Sequence, residues 1–350
     1  MERRTGKFNS GNALSVHPFA LFAASRAFAV ISNGIVPAQS RTPVRVIPDF
    51  PVIRVKKSPG SPTHPPDPGP RIPAAPRSIQ KGSTLKDLLD AEAIECLIHN
   101  FRRVHPTFDG PGFARSAHAG LAPLGIIERG HHFARALREH LPARYAQAVR
   151  LIIHSLGPPL AQTGEFGLAP FFYLPHICFI ANYGIDPQHN KGADPFEISM
   201  EAQHALTRRF TAEFSIRPFI QKWPERTLAR LLAWTRDPDP HVRRLCSEGA
   251  RPRLPWASRL PALIADPRPA LPILEALKDD PELYVRRSVA NHLGDIAKDH
   301  PELVFEICAR WLKQASPARQ WLIRHALRHP AKHGNATALK LRQQAGERGR

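Results

Sequence analysis

The sequence predicts an all-α chain arranged as a helical-repeat solenoid, and three observations lead there. Asp237-Pro-Asp-Pro-His-Val-Arg-Arg returns as Asp279-Asp-Pro-Glu-Leu-Tyr-Val-Arg-Arg, placing Val242 and Val285 43 positions apart. A recurrence of roughly 40 to 47 residues, each unit coupling a Pro/Asp turn to an amphipathic helix, is the period of HEAT-like arrays. Apolar residues fall at helical spacing through most of the chain after Ser83, and no stretch sustains the alternation of a strand. The first 82 residues differ: twelve prolines lie between Pro37 and Pro76 among Arg, Ser and Gly, a composition that resists both helix and core.

The predicted organisation is therefore a disordered Pro-rich basic extension over 1–82 and one helical-repeat domain over 83–346. Within the extension, residues 13–35 are apolar and follow a basic start, but His17 and Arg26 interrupt the run and speak against a signal peptide or a membrane span. Ser83 or Thr84 caps the first helix, whose apolar positions Leu85, Leu88, Leu89, Ile94 and Leu97 follow helical spacing. Further helices are predicted over 108–121, 131–140 and 143–156, punctuated by Pro106, Gly110, Gly130 and Pro142. Residues 157–167 read as a loop, 171–180 as a buried helix and 183–195 as a break. Helices then follow over 201–217, 227–235, 242–249, 256–264, 270–278, 285–298, 301–314 and 319–327, and 332–350 reads as a polar basic tail.

The helix at 285–298 shows what such an array can offer. Val285, Val289, His292, Leu293 and Ile296 make one stripe for packing, and Arg287, Asn291 and Asp295 make a second, polar one. Stacked polar stripes line the concave side of a solenoid, so a row of Arg there suggests a phosphate backbone. The chain holds 49 Lys and Arg against 30 Asp and Glu, a formal charge of +19. Setting aside the twelve basic and three acidic residues of the first 82 leaves 37 against 27, still basic. Nucleic acid is the expected partner class and the concave face the expected DNA-binding surface. Cys96, Cys178, Cys246 and Cys308 are widely spaced and apolar-flanked, and read as reduced core residues. His131-His132 and His176-Ile-Cys178 lack a second pair at zinc-ligand spacing, so no metal is expected.

Three positions could carry chemistry. Glu213 shares a stripe with Arg209 and Arg217, beside a packed face of Leu206, Phe210 and Phe214; the same spacing equally describes a ladder of ion pairs. Asp295 either acts as a functional carboxylate or pairs with Arg287 or Lys298. Trp256 lies in the stiff basic stretch Arg251-Pro-Arg-Leu-Pro-Trp, 43 residues after Glu213 and 39 before Asp295, and is otherwise a core tryptophan like Trp234 or Trp311. Their near-periodic spacing would let all three project from successive units into one cleft.

At these segments a resemblance becomes specific. Thr211-Ala-Glu-Phe-Ser-Ile-Arg-Pro-Phe-Ile, Ser247-Glu-Gly-Ala-Arg-Pro-Arg-Leu-Pro-Trp, Ser288-Val-Ala-Asn-His-Leu-Gly-Asp-Ile-Ala-Lys and Trp321-Leu-Ile-Arg-His-Ala-Leu-Arg resemble the signature segments of the AlkC-type DNA alkylation repair proteins, HEAT-like 3-methyladenine DNA glycosylases related to the AlkD type. The resemblance implies excision of cationic N-alkylated bases, chiefly 3-methyladenine and with it 3-methylcytosine, from duplex DNA. It places Asp295, Glu213 and Trp256 at the lesion and requires no cofactor. Arg243, Arg244, Arg286, Arg287 and Arg324 are the candidates for phosphate contacts. The expectation is a cytoplasmic monomer. The alternatives are a non-catalytic scaffold that binds nucleic acid or an acidic protein partner, and a membrane-associated protein anchored through 13–35.

Overall fold

The structure, a computed structural model, describes residues 69–164 and 167–346. The expected extension up to residue 68, with its apolar run at 13–35, lies outside the described residues. Among the described residues the chain forms seventeen α-helices, three short 3-10 turns and no strand. The first group is α1 (Ala91–Val104), α2 (Gly110–His118), α3 (Ile126–His140) and α4 (Tyr145–Ser155), followed by α5 (Leu174–Tyr183), the single turn α6 (Pro187–Asn190) and α7 (Phe196–Thr207). Then come α8 (Ile216–Lys222), α9 (Pro224–Trp234), α10 (Pro240–Gly249), α11 (Pro261–Ala265), α12 (Leu271–Leu277) and α13 (Leu283–Ile296). The chain continues with α14 (Pro301–Leu312), α15 (Pro317–Ala326), α16 (Arg328–Lys332) and α17 (Ala336–Gln344). None of the described helices is long and apolar enough to cross a membrane.

Pairs α9/α10, α12/α13 and α14/α15 are successive helical hairpins, and their second helices stand side by side, α10 against α13 and α13 against α15, with α7 on the far side of α10. The repeat is physical as well as textual. Val242 and Val285 are both fully buried, and the predicted packing stripe of α13 is buried throughout, from Val285 to Ile296. Each of the aliphatic side chains contributes about 1.5–3 kcal/mol through its removal from water. Asp237 and Asp280, one period apart, each accept the backbone N–H two residues on, from Asp239 at 2.8 Å and Glu282 at 2.9 Å, and so set the turn before the helix. All four cysteines are free and buried.

Four expectations are corrected. The ordered chain begins ahead of Ser83: the buried Asn100 amide donates to the Arg71 carbonyl and accepts its N–H, both at 2.7 Å. A buried amide needs both partners, and this extended backbone supplies them. The helix predicted over 201–217 is two helices, α7 and α8, with Glu213 in the break between them. Pro218 lies in the first turn of α8, where its missing N–H costs nothing, whereas in one long helix it would sit in the interior. The helix predicted over 256–264 is a loop as far as Leu260, and α11 starts at Pro261. Finally, the basic tail contains α17, capped by Asn335, whose Ala338 and Leu341 are buried against α14 to α16.

Candidate active site

The break between α7 and α8 holds Glu213 in a turn that its neighbours build. The Thr211 hydroxyl donates to Glu213 Oε2 at 2.8 Å and accepts the Glu213 N–H at 3.3 Å, a local capture of backbone that competes with continuing the helix. Arg244, from α10, meets the same Oε2 at 2.7 Å and also donates to the Thr211 hydroxyl at 3.3 Å. Only 5% of Glu213 is exposed. The guanidinium of Arg244 lies over the Tyr284 ring at 5.0 Å. Burial acts to lower the Arg244 pKa, but Glu213, Tyr284 and Glu248 reverse the effect and hold it above the ordinary arginine value.

From Arg244 the charges alternate toward Asp295. Arg244 Nη2 is 3.5 Å from Glu248 Oε1, which accepts from Arg251 Nη1 at 2.6 Å. Arg251 Nε then donates to Asp295 Oδ2 at 2.9 Å, and Lys298 Nζ reaches Asp295 Oδ1 at 3.1 Å. The second oxygen of Glu248 accepts the Ser288 hydroxyl at 2.6 Å. Glu248 and Asp295 are buried, and the Lys298 side chain is 42% exposed. Burial by itself would raise the Glu248 pKa. Arg244, Arg251 and the Ser288 hydrogen bond outweigh it and hold the carboxyl down at about 2. Arg251 is raised in turn: burial lowers it, and Glu248 and Asp295 more than compensate.

Trp256 lies on the loop that follows Arg251, and this loop is fastened by Arg217 of α8, a fully buried arginine. Arg217 donates to the carbonyls of Gly249 at 3.0 Å, Arg251 at 2.7 Å and Ser258 at 2.8 Å, so a single guanidinium joins the end of α10 to both arms of the loop. Burial, then the neighbouring Arg251, pushes its pKa down to about 10, still charged at neutral pH. Trp256 has φ +68°, the left-handed region that a bulky residue rarely occupies, and its half-buried ring packs on the core. Such strain, held by an over-determined loop, collects at functional sites. Glu213, Trp256 and Asp295 thus come from three successive units. Glu213 and Asp295 are the two ends of one buried network, and Arg217 ties the Trp256 loop to Arg251 within it.

Four of the five candidate phosphate contacts have internal partners. Arg243 clasps Asp280 of the next turn at 2.6 and 3.1 Å and caps the carbonyls of Asp237 and Pro238. Arg286 repeats the carbonyl capping on Asp280 and Pro281. Arg244 is held by Glu213, and Arg324 donates to the Ala345 carbonyl at the end of α17. Arg287 is exposed. The residues that sequence reasoning missed are Arg217, Glu248 and Arg251, and around Asn291 a further group. Asn291 Oδ1 accepts from His325 at 3.2 Å and Arg328 at 3.0 Å, and Trp321 stacks on His325 at 5.0 Å. Burial and the charges of Arg328, Arg287 and Arg342 push His325 down to about 4. The signal for Arg251 was available: the Arg251–Asp295 pair spans 44 residues, one repeat, so stepping back one period from Asp295 points at it. The spacing sets Arg217 on a stripe with Glu213, but nothing in it marks Arg217 as the residue that fastens the 251–258 loop.

The fold and site define a helical-repeat protein with three buried carboxylates, Glu213, Glu248 and Asp295, drawn from different units and linked by Arg244 and Arg251, beside a strained tryptophan loop. No family profile matches the chain. Over 258 residues it is 38% identical to the uncharacterized protein YhaZ of Bacillus subtilis (strain 168), a match covering 73% of this chain and 67% of that protein. Among solved structures it is 40% identical to the Pseudomonas fluorescens alkylpurine DNA glycosylase AlkC bound to DNA containing an abasic site analog. That match has a TM-score of 0.65 and covers 74% of this chain and 67% of the other. The chain belongs to the AlkC family.

Proposed function

We propose that this chain is a DNA repair glycosylase that removes cationic N-alkylated bases, 3-methyladenine first and 3-methylcytosine second, from duplex DNA, acting as a cytoplasmic monomer without a cofactor. The observation that carries the reading is the joining of Glu213 and Asp295 through Arg244, Glu248 and Arg251 in a member of a family with an alkylpurine DNA glycosylase. A base alkylated on a ring nitrogen is already positive and leaves without being protonated. Its glycosidic bond breaks with the electron pair going to the base, and the sugar is left with oxocarbenium charge. Asp295 stabilises that charge and directs water to C1′, the proton passing from the water to the carboxylate or solvent. Fixed by Arg251, Asp295 needs no reorientation in the transition state, while Lys298, the exposed partner, is the one an incoming sugar displaces. Glu213 meets the cationic base, and the Trp256 ring lies against sugar or lesion, a contact worth about 0.5–2 kcal/mol. Of the candidate arginines, Arg287 serves the phosphate backbone directly, while Arg243, Arg244, Arg286 and Arg324 hold the surface that the duplex meets.

The test is release of free base from duplex DNA treated with a methylating agent. Wild type is expected to release 3-methyladenine and 3-methylcytosine. Asp295→Asn should slow release by about 10²–10³-fold, the usual cost of removing a preorganised charge-stabilising group, and Glu213→Gln by a smaller factor. Absence of release by folded wild-type protein that still binds DNA would sink the reading in favour of the scaffold.

A further inference from the structure

Asn291 lies on the polar stripe of α13 between Arg287 and Asp295, and the mechanism above gives it no part. It is four residues from each, so about 6 Å along the helix separates it from the carboxylate assigned to the sugar. Its amide is fixed in one orientation. Arg328 Nη2 lies 3.0 Å from Asn291 Oδ1, and a guanidinium can only donate, so the atom facing it is the oxygen. His325 Nε2, at 3.2 Å, then donates to the same oxygen. Both donors are held in turn: Trp321 stacks on His325 with centroids 5.0 Å apart, and Arg328 Nη1 donates to the His325 carbonyl at 2.6 Å. With Oδ1 committed to α15 and α16, the Nδ2 group of this half-buried side chain is turned away from both donors, and no described residue accepts from it.

An amide donor beside the sugar tells the two lesions apart. 3-Methylcytosine keeps a carbonyl oxygen, O2, on the ring carbon next to its glycosidic nitrogen. In 3-methyladenine the corresponding edge carries N3, whose methyl group leaves no lone pair to accept a hydrogen bond. As the glycosidic bond of 3-methylcytosine breaks, the electron pair passes to N1 and spreads onto O2, so a hydrogen bond to O2 strengthens in the transition state. The pair that leaves with 3-methyladenine has no oxygen to reach. We infer that Asn291 determines the lesion range: its Nδ2 donates to O2 of 3-methylcytosine and speeds loss of that base, and it leaves excision of 3-methyladenine to Asp295, Glu213 and Trp256. Asn291 transfers no proton, and the cationic base departs neutral. This rests on the glycosylase reading and gives it the residue that extends it to a pyrimidine.

The experiment uses DNA methylated as single strands and then annealed, so that both bases are present in one duplex sample, with enzyme in excess. The readout is the ratio of the release rate of 3-methylcytosine to that of 3-methyladenine in the same tube. Asn291→Ala should lower the ratio roughly ten- to a hundredfold, the worth of a hydrogen bond to an atom that gains charge, with 3-methyladenine release within about threefold of wild type. Asn291→Asp keeps an oxygen for His325 and Arg328 but has no donor, and should lower the ratio by a similar factor. A role in packing alone would slow both bases alike, so an unchanged ratio in either variant overturns the inference. If Asn291→Ala does not fold, Asn291→Asp decides by the same ratio. A wild type that releases 3-methyladenine and no 3-methylcytosine overturns the inference and leaves the glycosylase reading standing for the purine, whereas one that releases neither base overturns the glycosylase reading itself.

Discussion

Helices α10 and α13 begin with the same words and end differently. In both, the first arginine after the shared valine folds back on its own turn: Arg243 onto the carbonyls of Asp237 and Pro238, Arg286 onto those of Asp280 and Pro281. The second arginine diverges, Arg244 half-buried against Glu213 and Arg287 exposed. One turn further on, Glu248 in α10 stands where α13 has Asn291, and just past α10 Arg251 stands where α13 has Gly294. The first half of each unit builds the scaffold, and the second half is free to differ. What the two second halves share is the contact between them, because Arg251 of one unit grips Asp295 of the next. In this array each of the buried carboxylates Glu213 and Asp295 takes an arginine from the neighbouring repeat in addition to a partner from its own.

The largest expected effect outside catalysis follows from that grip. Arg251→Met leaves Glu248 and Asp295 buried without their shared cation, and should lower the unfolding free energy by about 3–5 kcal/mol in denaturant titration. A loss below about 1 kcal/mol would show that the unit-to-unit contact holds no tension and that α10 and α13 are energetically independent. A smaller effect separates the two equivalent first arginines. Arg243→Met frees the buried Asp280 carboxylate of a bidentate partner as well as two carbonyls, and should cost about 2–3 kcal/mol. Arg286→Met loses only carbonyl partners and should cost about 1 kcal/mol. Equal costs would mean that the Arg243–Asp280 pair adds nothing to the shared turn.

The comparison also explains what could be read in advance. The period, the Asp turns and the buried stripe of α13 are local features repeated in sequence, so Val242, Val285, Asp237 and Asp280 declare themselves. Asp295 and Glu213 could be singled out, but not told apart from rungs of an ion-pair ladder. Their partners lie in neighbouring units, Arg251 in the one before Asp295 and Arg244 in the one after Glu213, and a pattern read along one helix cannot see across to its neighbour. Glu213 was placed on a helix because Leu206, Phe210 and Phe214 keep helical spacing through the break; the Thr211 hydroxyl and Pro218 decide otherwise. The Trp256 loop was mistaken for a helix start for a similar reason. Its shape comes from Arg217, 39 positions earlier, bonding to carbonyl oxygens that every residue type possesses. The α17 helix was hidden by its charge, since only Ala338 and Leu341 of its nine residues are buried.

The smallest expected effect is the one that divides the two second arginines by function. Arg287 is exposed, so Arg287→Ala should leave the unfolding free energy within about 0.5 kcal/mol of wild type. If its guanidinium meets a phosphate, the variant should bind all duplexes more weakly regardless of lesion, and the slope of log affinity against log salt should shrink by about one. Arg244→Met should show the converse. It strips Glu213 of its cation and should cost stability, yet it should leave the salt slope nearly unchanged, because a charge already paired with two carboxylates displaces no counterions from DNA. A salt slope that fell in Arg244→Met and not in Arg287→Ala would reverse the assignment: the duplex would then be reaching into the buried network, and the exposed second arginine would be surface charge alone.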